Sequence, residues 1–205
     1  MASVITPIVK CKCGDLGDTN NYRAITLSNA VTKILESVIL DHISELSIDT
    51  NNQFGFKHGH STSLCTNTLR QVVDYYRNWG SHVFVCFADF SKAFDQVNYI
   101  KLLKKLLSDG IYSWIVSILL LWYSHLQVSV LWNRVLSSPF CISNGTRQGG
   151  ILSPTLFNRY VRDMIVSLLT SRVGCNVGGS LRQYTCVCGW HGHLGTVMAC
   201  FAGFN

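Results

Sequence analysis

The stretch CFADFSKAFDQVN, residues 86–98, sets a carboxylate, Asp89, at the C-terminal end of a run of Val, Phe and Cys. A carboxylate in such apolar company is costly to bury unless something pairs with it. A divalent cation would do so, and Mg²⁺ favours carboxylates together with substrate phosphates. Two plainer readings stand beside this one: a strand-end residue in solvent, or the N-cap of the next turn. Lys92 and Asp95 make the turn densely charged. The other concentration of chemical side chains closes the chain, where Cys186, Cys188, His191 and His193 fall within eight residues. Zinc fingers usually separate their Cys and His pairs by about a dozen residues or more, so so short a run closes a tetrahedron with difficulty. A disordered or poorly packed tail is the plainer expectation there. Cys11 and Cys13 form a weaker pair, and His58 and His60 read as decoration of a loop.

The elements that must position these groups are legible in outline. A short apolar run opens the chain, a Gly/Asp/Asn loop follows, and residues 24–27 read as extended. From Asn29 the apolar residues Val31, Leu35, Val38, Ile39, Ile43 and Leu46 recur at helical spacing, which predicts an amphipathic helix with that face inward. Residues 62–79 predict a second helix with Leu69, Val72, Val73 and Tyr76 on one side. HVFVCFADF has no helical period and predicts a buried strand. A helix over YIKLLKKLL, stopped by Gly110, precedes a buried apolar helix over 112–123, which is too short to span a bilayer of about 20 residues. LQVSVLW predicts a strand. A Gly-rich loop then leads, from about Pro154, into a helix carrying Leu156, Tyr160, Met164 and Leu168 on one face. Helices and strands mix without regular alternation, so the class is α+β.

The chain has 205 residues, 48% of them hydrophobic, enough for one domain or two small ones with a real core. Its net charge of +6 is compatible with a polyanionic partner, but the one compact cluster, Lys101, Lys104 and Lys105, reads as a solvated helix face. Nine cysteines and no signal peptide argue against a disulfide framework and for a reducing compartment.

Four segments together resemble the reverse transcriptases of non-LTR, LINE-type retrotransposons. CFADFSKAFDQVN is similar to their first catalytic motif. NNYRAITLS resembles the Asn-Tyr-Arg-Pro-Ile-Ser-Leu segment of the fingers, with Ala24 in place of Pro. NQFGFKHGHST and GTRQGGILSPTLFNRYVRDM resemble the next fingers motif and the Arg-Gln-Gly loop of the palm. The resemblance covers roughly residues 7–180. It implies an incomplete right-hand polymerase: fingers at 1–80, palm at 81–182, a divergent tail at 183–205, and no thumb. It also implies nucleotidyl transfer from dNTPs onto a DNA primer along an RNA template. Mg²⁺ ions would be held by Asp89 and the carbonyl of Phe90. Arg23 would contact the triphosphate, and Phe94 would lie under the sugar unless it is an ordinary core aromatic. Gln148 and Gly149 would flank the nascent base pair, and Arg147 would touch nucleotide or template unless it is a surface cation. Lys57, Lys10 and Lys12 would meet nucleic-acid phosphates. No membrane and no protein partner is implied, and the location would be nuclear and cytoplasmic.

The family's second carboxylate pair, in Tyr-Ala-Asp-Asp, is missing. No Asp or Glu follows Asp163, and the expected position falls at TCVCGWHG. Written in permitted codons and read one nucleotide forward, QYTCVCGWHG yields Asn-Ile-Leu-Ala-Tyr-Ala-Asp-Gly-Met-Val, with Tyr-Ala-Asp at 187–189. The expectation is a frame slip near residues 181–183 and an inactive chain; a non-catalytic nucleic-acid-binding remnant is the alternative.

Overall fold

The computed structural model describes residues 2–46, 54–56, 59, 61–88, 92–170, 175–177, 180–182, 185–190 and 193–202. In chain order the elements are β1 (Ala2–Val9), β2 (Tyr22–Leu27), α1 (Ala30–Ser44), α2 (Thr62–Asn78), β3 (Val83–Ala88), α3 (Tyr99–Ser108), α4 (Ser113–Ser124), β4 (Gln127–Trp132), β5 (Val135–Leu136), β6 (Phe140–Cys141), α5 (Ser153–Thr170), β7 (Cys175–Val177), β8 (Ser180–Arg182), β9 (Thr185–Trp190) and β10 (His193–Ala202). The mixed α+β class follows. Two compact units interleave along the chain: Met1–Ile48 with Phe94–Tyr160, and Asp49–Ala93 with Val161–Asn205.

In the first unit β1 pairs antiparallel with β2, from Val4↔Leu27 to Val9↔Tyr22. On its other side it pairs parallel with β4, from Ala2↔Gln127 to Ile5↔Val130. β5 and β6 add to β4. The β4–β5 turn places Asn133 and Arg134 at φ of 47° and 65°, the double left-handed conformation that matches strand twist in two-residue hairpins. α3 and α4 pack on each other, with Leu102, Leu106, Ile115 and Leu119 fully buried. Asn98 caps α3 by accepting from the Lys101 amide, and Gly110 follows its end at φ +82°, a conformation glycine adopts without steric cost. The Arg159 guanidinium donates to the carbonyls of Ile43 and Leu46 at the end of α1 and pairs with Asp109.

Three expectations about burial are corrected. α1 forms where the periodicity placed it, capped by Asn29, but its inward stripe is Thr32, Glu36, Ile39 and Ile43. Val31 and Val38 are 63% and 47% exposed. The helix is rotated because a carboxylate, described below, is required inside. α4 is apolar on nearly every side, yet buries only Ile115, Val116, Leu119 and Tyr123; Trp114 and Leu121 face outward. β3 is a strand, but not a fully buried one: Phe84, Cys86 and Phe87 are exposed.

In the second unit Val83 and Val85 of β3 pack on Val72, with Leu69 and Tyr76 of α2. Phe54, Leu69 and Val85 surround Cys65. Cys65 is disulfide-bonded, which the cysteine usage did not suggest, whereas Cys11, Cys13, Cys86 and Cys141 are free. β10 pairs antiparallel with β3, from Val197↔Ala88 to Ala202↔Val83, and β9 pairs antiparallel with β10. The described residues of the tail thus form two strands, β9 and β10, added to the edge of β3. Among the described residues, no helix is long and apolar enough to cross a membrane.

The β4–β5 turn yields a stability prediction. Arg134→Gly converts Asn-Arg into Asn-Gly and should remove left-handed strain on the order of 1 kcal/mol, read as a rise in thermal midpoint. An unchanged or lower midpoint would count against the turn geometry.

Candidate functional site

The loop at 145–149 is held from two sides. The amides of Gly145 and Thr146 donate to the carbonyls of Val97 and Phe94, at 2.8 and 2.7 Å, and the Thr26 amide of β2 donates to the carbonyl of Gln148 at 2.7 Å. Two glycines make the approach possible. A Cβ on Gly145 (φ +93°) would lie 2.8 Å from Asp95 Cα, and one on Gly149 (φ +99°) 3.0 Å from the Thr26 carbonyl oxygen. No larger residue fits either place without moving backbone. Gln148 is further fixed by its side chain, whose Nε2 donates to Asp95 Oδ1 at 3.0 Å. Three regions whose motifs carry the resemblance, at 22–27, 94–97 and 145–149, therefore meet through backbone hydrogen bonds.

Arg147 differs from both of its expected roles. It is neither a surface cation nor an open nucleotide contact, but 4% exposed. Its guanidinium forms an ion pair with Glu36, itself 1% exposed, and donates to Ser28 Oγ at 3.3 Å. It also lies over the Trp122 ring, 4.3 Å from the centroid. A buried guanidinium persists only with a carboxylate and donors' partners arranged around it. Apolar periodicity, which counts only hydrophobic residues, does not single out Glu36. A signal was available: it falls in phase with Thr32, Ile39 and Ile43.

A cavity of about 200 Å³ lies beside the loop, lined among others by Thr26, Asp95, Tyr99, Asn144, Thr146 and Gln148. The hydroxyls of Tyr99 and Thr146 are buried and without a hydrogen-bond partner among the described residues. Burial pushes the Tyr99 phenol up to about 12, against the opposing pull of the Arg147 charge.

Of the remaining expected site residues, Phe94 is 4% exposed and stacked on Phe157 at 4.8 Å between centroids, the placement of a core aromatic. Arg23 is half-buried on β2 opposite Ile8. Lys10 and Lys12 are exposed beyond β1, and Lys10 Nζ donates to the Asn20 carbonyl at 2.8 Å. Asp89, Phe90 and Lys57 lie outside the described residues. Among the described residues no group of three or more His, Cys, Asp or Glu could hold a metal ion.

Two measurements follow. Arg147→Met leaves the Glu36 carboxylate buried and unpaired, and should cost about 3–5 kcal/mol in chemical denaturation, much of it recovered in Glu36→Leu/Arg147→Met. A loss under about 1 kcal/mol would contradict the buried pair. For Tyr99, the folded state holds a proton that the unfolded chain releases above its ordinary value of about 10. Stability is therefore fully present below about pH 10 and lost as pH rises toward 12, and Tyr99→Phe should flatten that fall.

Comparisons with known proteins identify the family. The family described as reverse transcriptase (RNA-dependent DNA polymerase) matches residues 10–186. The chain is 31% identical, over 72% of its length and 16% of the relative's, to the RNA-directed DNA polymerase from mobile element jockey of Drosophila funebris. It is 26% identical, over 82% of its length and 24% of the relative's, to a retrovirus-related Pol polyprotein from type-1 retrotransposable element R2 of Popillia japonica. The chain thus spans a quarter or less of the length of these relatives. A structure of apo telomerase from Candida tropicalis, truncated from its C-terminal domain, shares the fold, with a TM-score of 0.59 at 9% identity over 98% of this chain and 44% of that one. With the family match running through β2, the loop at 145–149 and most of the remaining chain, this protein belongs to the reverse transcriptase family and carries the reverse transcriptase domain of a non-LTR retrotransposon.

Proposed function

We propose that the chain is the fingers and palm portion of a non-LTR retroelement polymerase that keeps a nucleotide- and template-facing surface but does not polymerise. The observation that carries the first half is the docking of the 145–149 loop onto β2 and the 94–97 segment. It sets Gln148 beside β2, the strand that bears Arg23, a residue type whose planar fork suits phosphate oxygens. Lys10, Lys12 and Lys57 would meet phosphates of an RNA template and DNA primer, contacts that give affinity rather than sequence choice. Phe94 and Arg147, being buried, serve in this reading as supports of the loop.

The second half rests on missing acid groups. A family polymerase uses two divalent ions to activate the primer hydroxyl and stabilise the leaving group. The sheet β3–β10–β9 brings the end of β3 beside β10, with Thr196 of β10 paired to Cys188 of β9. Neither β9 nor β10 contains an Asp or Glu, and none follows Asp163. The residues present do not fit a two-Mg²⁺ centre, as a frame slip before the hairpin would explain.

The test is a primed RNA template offered with dNTPs and either Mg²⁺ or Mn²⁺. No extension is expected, while primer–template binding should weaken linearly in log Kd with log salt concentration. Clear primer extension would refute the loss of polymerisation; absence of any salt-dependent binding would refute the retained surface.

A further inference from the structure

The two oxygens of Glu36 do separate work. Oε1 takes the Arg147 guanidinium, and Oε2 accepts the backbone amide of Ile151 at 2.9 Å. One carboxylate on α1 therefore grips the 147–151 loop at both ends of Gln148 and Gly149. The turn between is closed by the Gly150 amide donating to the Arg147 carbonyl at 3.1 Å. One turn before Glu36 on the same helix, Lys33 Nζ approaches the Gly149 carbonyl at 3.4 Å. Gly150 is shaped to this grip: a Cβ there would lie 2.7 Å from Ser153 Oγ and 3.0 Å from Glu36 Oε1. Charge-assisted hydrogen bonds are the stronger kind, and both of these are shielded from water, since Glu36 is 1% exposed.

We propose that Glu36 is the positioning residue of the Gln148–Gly149 loop: it touches no nucleotide, but fixes the backbone and side chain that would face one. The proposal rests on the reading of that loop as the nucleotide-facing side of the site. Both donors that satisfy this carboxylate belong to the loop, on either side of the residues whose geometry matters. Pre-organisation of this kind is what holds a recognition loop within a fraction of an ångström of its working geometry.

The experiment uses the chain as it is, with two variants that retain the Glu36 or Arg147 charges. Glu36→Asp keeps the charge but shortens the reach, so it cannot serve both donors. Gly150→Ala leaves both charged groups in place and pushes a methyl against the carboxylate. In each, amides 148–151 should exchange with deuterium roughly tenfold faster or more, while α3 and α4 keep wild-type protection. Affinity for a fluorescent RNA-template/DNA-primer duplex should fall in step. Unchanged exchange at 148–151 in both variants, or an equal loss of protection in α3 and α4, would overturn the proposal by making Glu36 inert or merely structural. Should Glu36→Asp not fold, Gly150→Ala alone decides. A wild-type chain that binds no primed template, yet shows the local exchange signature in its variants, would sink the functional reading and leave the loop clamp standing.

Discussion

The ion pair between Glu36 and Arg147 governs more of the first unit than any apolar contact does. Two opposite charges removed from water are tolerable only when each finds its partner and its remaining hydrogen bonds, and here those demands spread outward. Glu36 must point inward, so α1 turns Thr32, Ile39 and Ile43 in with it and leaves Val31 and Val38 exposed. Arg147 must be enclosed, so Ser28 lies within hydrogen-bonding distance and the Trp122 ring covers the guanidinium. The Tyr123 phenol, fully buried, is pushed up by burial, and the Arg147 charge works against that push.

Around that pair, close backbone approach replaces side-chain packing. The loop at 145–149 meets Asp95 and Thr26 at distances that exclude a Cβ on Gly145 and Gly149, and its amides and carbonyls are consumed by the 94–97 segment and β2. Residues from three distant stretches of sequence are thereby held in one place by peptide groups, which need no particular side chain. That explains how Thr26, Asp95 and Gln148 converge although nothing in their local sequence pairs them.

The tail separates architecture from chemistry. β9 and β10 add to β3 in antiparallel pairing, with one register shift between His193 and Thr196, because Thr, Val, Cys, Trp and Phe suit a pleated surface. Strand pairing asks for backbone and shape, whereas a two-metal centre asks for carboxylates at given positions, and neither β9 nor β10 contains one.

Local physics was legible from the chain alone. Helical periodicity is set by residues three and four apart, so α1, α2, α3 and α5 could be read directly, as could the family motifs and the missing acidic pair. Non-local constraints were not. The parallel pairing of β1 with β4 joins residues from opposite halves of the chain. The rotation of α1 follows from a guanidinium more than a hundred positions away in sequence, separated by |i−j| = 111. Hydrophobic periodicity assigns a helix face by counting apolar residues, and it fails where a buried charge outweighs two exposed valines. The sequence by itself determined which elements exist and which family they belong to. Only the tertiary structure decided that Arg147 faces inward and Glu36 answers it, because the cost of an unpaired buried charge is set by what surrounds it in space.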